Sequence, residues 1–126
     1  INLFDESRCS IFMNWCEQYP DKAPPCLIEM IPVIEMTNGK QEFTNLAKEI
    51  VFKYGNDKII LDKLDIKLNS YMWSGSLIPM YEGRINALQP LLGASLNEVK
   101  KWAEKEIDYF ERAIKKEKEL EEEGWR

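Results

Sequence analysis

Histidine is missing from all 126 residues of this chain, and that omission excludes a wide range of chemistry. Without an imidazole there is no Ser-His-Asp or Cys-His nucleophilic system, no imidazole acid–base step and no histidine-bearing zinc site. Cysteine is scarce and odd in number: Cys9, Cys16 and Cys26 cannot make a four-cysteine zinc site. Cys9 and Cys16 fall on one predicted helix, where their separation is about 10 Å, beyond the ~7 Å between Cα atoms that a disulfide tolerates. Unbridged thiols serving as small apolar side chains are expected. The glycines form neither a Walker loop nor the three spaced glycines of a dinucleotide fold. Glu98, Glu104, Glu106 and Asp108 crowd one helix but fit no Asp-x-Asp or EF-hand frame, so a charged helix surface is expected, with no metal and no cofactor.

Long apolar runs are also missing. No stretch approaches the ~18 residues that cross a bilayer, and the opening INLFDESR lacks the basic start and apolar centre of a secretory signal. A soluble, cytoplasmic protein with no membrane partner is expected. Positive charge is short as well: 17 Lys and Arg against 22 Asp and Glu leave a net charge of −5, the wrong sign for a nucleic-acid partner. The one basic cluster, Arg112, Lys115, Lys116 and Lys118, is interleaved with Glu111, Glu117 and Glu119 and reads as a mixed-charge face. A chain that opens on Ile1 with no leader is expected to be a C-terminal fragment of a longer polypeptide.

What is present is helical periodicity, with strand signals almost absent, so the expected fold is all-α and a single domain over residues 1–126. QEFTNLAKEIVFKYG places Phe43, Leu46, Ala47, Ile50, Val51 and Tyr54 on one stripe, with Gly55 as a left-handed stop. Asn56 or Asp57 caps the next helix, which carries Ile60, Leu61, Leu64, Leu68 and Tyr71. Upstream, Cys9, Phe12, Met13, Cys16 and Tyr19 share a face that Pro20 ends. PPCLIEMIPVIEM then opens on a proline pair suited to a first helical turn and runs through Leu27, Ile28, Ile31 and Ile34, bent or shortened at Pro32, before the turn at residues 37–40. A fifth helix begins near Ser76 and Pro79, with Tyr81, Ile85, Leu88 and Leu92 as its stripe, a kink at Pro90 and an end at Gly93. The sixth starts at a capping box, Ser95 to Glu98, and holds Leu96, Val99, Trp102, Ala103, Ile107, Phe110 and Ile114 on one side. Beyond Ile114 a solvated or frayed end is expected, with Trp125 as its last apolar residue. Helix junctions near Tyr19, Tyr54 and Leu92 recur about 35 and then about 38 residues apart, the period of helix-pair repeats. Three antiparallel pairs, about 5–36, 41–71 and 76–122, stacked side by side are expected.

One stretch stands apart. SYMWSGSLIP, residues 70–79, sets Tyr71 and Trp73 beside Ser74-Gly75-Ser76 at a helix start, where backbone donors and the helix dipole favour an anion. The bland expectation is a joint between helices, with Trp73 packed over the adjacent hairpin. The sharper alternative is a small-ligand or anion-binding domain, or a carboxylate-based enzyme using Glu82, with Trp73, Ser74, Ser76 and Tyr81 as contacts and Arg84 as an anion clamp. Arg84 has its own bland reading, an intramolecular tie to a helix end. Trp15 and Trp102 lie next to apolar stripes and are expected in core or boundary packing.

Residues 73–123, with Trp73, Gly75-Ser76, Arg84, Leu91-Leu92, Val99-Lys100-Lys101-Trp102-Ala103 and a charged end, resemble the closing helices of HEAT-like α-helical repeat regions at the C-terminal ends of large uncharacterised bacterial proteins. WCEQYPDKAPP and KYGND look like the preceding pair junctions. The chain departs from that pattern at Gly93-Ala94-Ser95, where a histidine-proline type of turn is common, which leaves the subgroup open. The resemblance implies an α-solenoid, a right-handed helical stack with a long last helix, capping a multidomain protein whose other domains are nucleotide-driven or effector modules. It carries over no catalytic residue. The expected function is a non-enzymatic interaction or scaffold module that contacts a protein partner or other domains of its own polypeptide. An exposed first helix presenting Phe4, Ile11 and Phe12 is expected to support a homodimer.

Overall fold

The computed structural model describes residues 6–71 and 73–124, with side chains from Arg8 onward. Phe4 and Trp125, to which the sequence assigned surface roles, lie outside the described residues. The fold is predominantly α-helical: α1 (Glu6–Gln18), α2 (Ala23–Met30), α3 (Asn45–Tyr54), α4 (Lys58–Leu68), α5 (Ile78–Leu88) and α6 (Asn97–Glu122) are joined by one 3₁₀ segment, Gln89–Gly93. To these is added a two-stranded antiparallel hairpin, β1 (Ile34–Thr37) and β2 (Lys40–Phe43), where two continuous helices were expected.

The hairpin follows from local chemistry. Ile31 precedes a proline, which disfavours the helical region for it, and it adopts φ −89°, ψ 156°, so α2 stops at Met30. The chain then turns back at Asn38 and Gly39, with φ of 53° and 78°, the paired positive values of a two-residue hairpin turn of the primed type. Gln41 and Phe43 alternate inward along β2. Thr44 ends the strand and starts α3: its Oγ1 accepts from Ala47 N at 3.4 Å and donates to the Pro32 carbonyl at 2.8 Å.

Several other local expectations shift. Asp57 caps α4 by accepting from Ile59 N at 3.0 Å, as its position suggested. The Ser95–Glu98 box does not form. Leu96 takes the cap position with no side-chain bond, because its carbonyl is the first helical acceptor, receiving from Val99 N and Lys100 N, and Ser95 is left one residue outside. On α5 the inward face is Met80, Arg84, Ala87 and Leu88, so the stripe is rotated by about one residue; Tyr81, Ile85 and Leu92 pack at its margin. The charged end is not frayed, since α6 continues to Glu122 and buries Glu117. Gly55 has φ −71° and is no left-handed stop. A Cβ there would meet Val99 Cγ2 at 2.3 Å, so the glycine lets α6 close on the end of α3.

Helix α1 packs on α3, α2 on α4, and α5 on both α6 and β2. One continuous core results, with Phe43, Ile50, Leu64 and Ile107 all inside it and Phe110 the largest fully buried side chain. Each such aliphatic or aromatic side chain contributes about 1.5–3 kcal/mol by leaving water. None of the three cysteines is bridged. Cys16 is fully buried, and burial pushes its thiol up to about 11 despite Lys53, which keeps it protonated and inert.

Helices α4 and α6 are also tied by polar groups. Trp102 Nε1 donates to Asp65 Oδ1 at 2.9 Å, and the Glu106 carboxyl meets Asp65 from the next turn of α6. Burial, then the hydrogen bond and charge of Asp65, push the Glu106 pKa from 4.5 up to about 8, with Lys105 opposing weakly. The folded state therefore keeps a proton that the unfolded chain loses near pH 4.5, and the stability this provides is complete below that value and lost as pH rises through 8. Glu106→Gln should replace the protonated carboxyl with a permanent donor. Thermal melts should show the parent chain losing stability between pH 5 and 9, while the variant stays flatter and is more stable by about 1–2 kcal/mol at pH 8.5. Parallel pH profiles would show that no proton is held there.

Candidate functional site

Arg84 is the most unusual side chain in the core. It is 8% exposed, and the inward rotation of α5 aims it at the end of α4 and at the hairpin. Its Nε donates to the Leu68 carbonyl at 3.0 Å and its Nη1 to Gln41 Oε1 at 2.6 Å. The Tyr71 ring lies 6.0 Å from the guanidinium carbon, within cation–π range. Burial pulls the pKa of Arg84 below its ordinary value, with Tyr71 opposing, and a guanidinium remains charged even so. Every partner it has among the described residues is neutral. A buried cation is ordinarily matched by a carboxylate; here the Leu68 carbonyl, at the negative end of the α4 dipole, takes that place.

Gln41 is the hub of this arrangement. Besides accepting from Arg84, it donates through Nε2 to the Met80 carbonyl at 3.2 Å, and its own carbonyl accepts from Asn86 Nδ2 at 3.3 Å. Gly83 makes room for it. A Cβ at residue 83 would stand 2.2 Å from Gln41 Nε2.

Above Arg84 opens a cleft of about 330 Å³ between β1 and the segment joining α4 to α5, walled by Ile34, Met36, Lys67, Tyr71, Trp73 and Met80. Two of the five N–H donors of Arg84 are engaged, and Nη2 has no hydrogen-bond partner among the described residues. Lys67 adds a second cation, held by its Nζ bond to the Ile31 carbonyl at 3.0 Å. Among the described residues, Glu35 is the one acid on the lining. It pairs with Glu42 across the hairpin, whereas Met36 pairs with Gln41; opposed residues share a face, so the Glu35 side chain leaves on the face away from Arg84. A larger hollow of about 550 Å³ beside β2, walled by Lys40, Glu42, Lys48 and Asn86 over Phe43 and Ala87, has mixed charge.

The sequence-based site residues divide as follows. Trp73 and Arg84 meet at the cleft. Tyr81 stands one step behind, its hydroxyl 3.4 Å from that of Tyr71, and burial with that bond pushes its pKa up to about 12. Ser74 is exposed, and Ser76 serves the backbone, its Oγ accepting from Ile78 N at 3.3 Å and its carbonyl from Trp73 Nε1 at 2.8 Å. Glu82 is exposed and lies off the cleft lining. The tie from Arg84 to a helix end is present, and it leaves part of the guanidinium facing the cleft. Gln41, Lys67 and Met36 were missed by sequence reasoning. For Gln41 and Met36 the signal was the Asn-Gly turn, which, read as a hairpin, sets them opposite each other on one sheet face; Lys67 had none.

Helix α1 leaves Ile11 and Trp15 exposed, four apart and so on one helix face, and Tyr19, one residue past its end, is exposed as well. Phe12 packs partly against the core instead.

A scan against protein-family models finds no match to this chain, and searches of curated proteins and of solved structures find none either.

Gly83→Ala should test the hub. Displacing Gln41 leaves Arg84 Nη1 buried without its acceptor, for a loss of about 2–4 kcal/mol in denaturant melts. An alanine variant as stable as the parent would show that Gln41 does not hold the guanidinium.

Proposed function

We propose that the protein is a non-enzymatic interaction module, a HEAT-like helical-pair scaffold of the bacterial cytoplasm, whose cleft beside Arg84 holds a carboxylate belonging to another polypeptide or to a further domain of its own. The observation that carries this reading is the Arg84 guanidinium: buried, surrounded by neutral partners and set at the base of an open cleft with Lys67 beside it. A cation so placed gains a bidentate, charge-assisted partner when an acid enters. The polar groups nearby favour binding over turnover, because Tyr81, whose pKa burial pushes up to about 12, keeps its proton through neutral pH, and acid–base catalysis needs a group that changes its protonation state. The likeness of residues 73–123 to closing solenoid helices supports the scaffold part. No described helix is long and apolar enough to cross a membrane.

A capped heptapeptide that alternates threonine and valine around one central glutamate is a direct probe, read through the fluorescence of Trp73, which is 49% exposed at the cleft wall. Binding should weaken about tenfold, or ~1.4 kcal/mol, in Lys67→Glu, and a Lys67→Glu protein that binds the peptide as the parent does would remove the reading.

A homodimer through α1 is a second contact we propose, favoured by the outward stripe of Ile11, Trp15 and Tyr19, which a second copy could cover isologously. Light scattering should give a dimer for the parent chain and a monomer for Trp15→Glu; a monomeric parent at high protein concentration ends this proposal.

A further inference from the structure

The cleft has a second property besides its charge. Among the described residues the sheet has two strands, so β1 pairs on one edge and leaves the other open, and residues Pro32 to Met36 form one wall of the cleft. The phase of the ladder fixes which groups that edge offers. Thr44 N donates to the Val33 carbonyl at 2.9 Å, so the pairs Glu35–Glu42 and Thr37–Lys40 exchange hydrogen bonds while Ile34–Phe43 and Met36–Gln41 do not. In an antiparallel ladder the backbone groups of the latter residues point outward. Ile34 and Met36 therefore present their N–H and C=O groups to the open side, and Met36 is 64% exposed there.

We infer that the cleft is a strand-addition site: an extended segment of a partner protein pairs with the edge of β1 and lowers an aspartate or glutamate side chain onto Arg84 and Lys67. This rests on the interaction-module reading and goes further, naming the conformation of the ligand and the source of its carboxylate. The face decides the source. A strand laid on β1 alternates its side chains between the two faces of the sheet, and the face shared by Met36 and Gln41 is the one beneath which Arg84 sits. An acidic side chain on that face points down at the guanidinium, whereas a chain-terminal carboxylate would lie in the plane of the sheet, away from it. Residues two positions before and after the acid lie over Met36, Tyr71 and Trp73, all exposed, so flanking apolar residues complete the recognised pattern, apolar-x-acid-x-apolar. Arg84 and Lys67 supply the charge complementarity, and Glu35, directed to the far face, does not oppose it.

The heptapeptide described above tests this, for antiparallel addition, in three forms titrated against the native protein: the parent peptide, its glutamine version, and a version N-methylated on the glutamate and valines, whose N–H groups face β1 in that pairing; the parent peptide is also titrated against Met36→Pro. A proline at Met36 removes an outward N–H without touching the ladder to β2, and Met36→Ala, which keeps the N–H, controls for the lost side chain. Binding should fall at least about tenfold for the glutamine peptide, for the N-methylated peptide and for Met36→Pro, and should fall clearly less for Met36→Ala, which loses a contacting side chain but keeps the N–H, than for Met36→Pro. If the N-methylated peptide binds as well as the parent peptide while the glutamine peptide does not, strand addition is overturned and the carboxylate reading survives. Equal binding of the glutamate and glutamine peptides, or none by the parent peptide at millimolar concentration, overturns both. The N-methylated arm involves no change to the protein, so the outcome does not depend on how any variant folds.

Discussion

The burial of one arginine organises the second half of this molecule. Arg84 sits on the inner face of α5, where periodicity alone would put a leucine, and it is tolerated because three separate elements bring it oxygen atoms or a π face: the end of α4, the middle of β2 and the Tyr71 ring. An isolated charge in a core costs several kcal/mol unless it is hydrogen-bonded. The hairpin, the α4 terminus and α5 therefore cannot shift relative to one another without orphaning it. The hydrogen bonds act as a geometrical constraint more than as a source of net stability, since the charge and its partners are all better solvated in water.

That constraint explains where the chain needs glycine. Gly83 lets the Gln41 amide lie against the α5 backbone, and Gly55 lets α6 press Val99 onto the end of α3; neither residue has positive φ. Their role is closeness of approach. The second junction works with the Trp102–Asp65–Glu106 contact, so α6 is held to the first half of the chain by a close backbone contact at its start and a shared proton one turn beyond Trp102. Between these two anchors its apolar stripe does the remaining packing.

The helices were legible because their signal is redundant. In α3, α4 and α6 a run of apolar side chains repeats the same message over several turns, and losing any one position leaves the periodicity intact. The hairpin carried its message in two short strands and one Asn-Gly pair, and Leu27, Ile28, Ile31 and Ile34 imitate a helical stripe across the very point where Pro32 breaks it. Tertiary geometry was beyond the sequence for a different reason. The face of α5 that turns inward depends on whether Arg84 finds acceptors, and those come from Gln41 and Leu68, 43 and 16 positions away. Nothing local to residues 78–88 encodes that. Trp73 and Arg84 could be singled out as chemically unusual, but their shared cleft, and Lys67 within it, appear only when β1 is laid against the α4–α5 connection.

The charge of the whole chain limits how such a cleft can work. With a net charge of −5 the protein repels an acidic partner at long range, and long-range fields chiefly set association rates. At ionic strengths where exposed charges are screened beyond about 8–10 Å, this repulsion fades, while a guanidinium sunk to the base of a cleft keeps its pull on a carboxylate that reaches it. Added salt should thus speed encounter and leave the seated contact comparatively untouched, the reverse of the behaviour of a basic surface that captures acids by attraction alone. On the strand-addition proposal an acid-recognising cleft on an acidic chain would act as a filter: overall charge would slow each anionic segment according to its own charge, and backbone pairing along β1 with a side chain of the right reach would select among those that arrive.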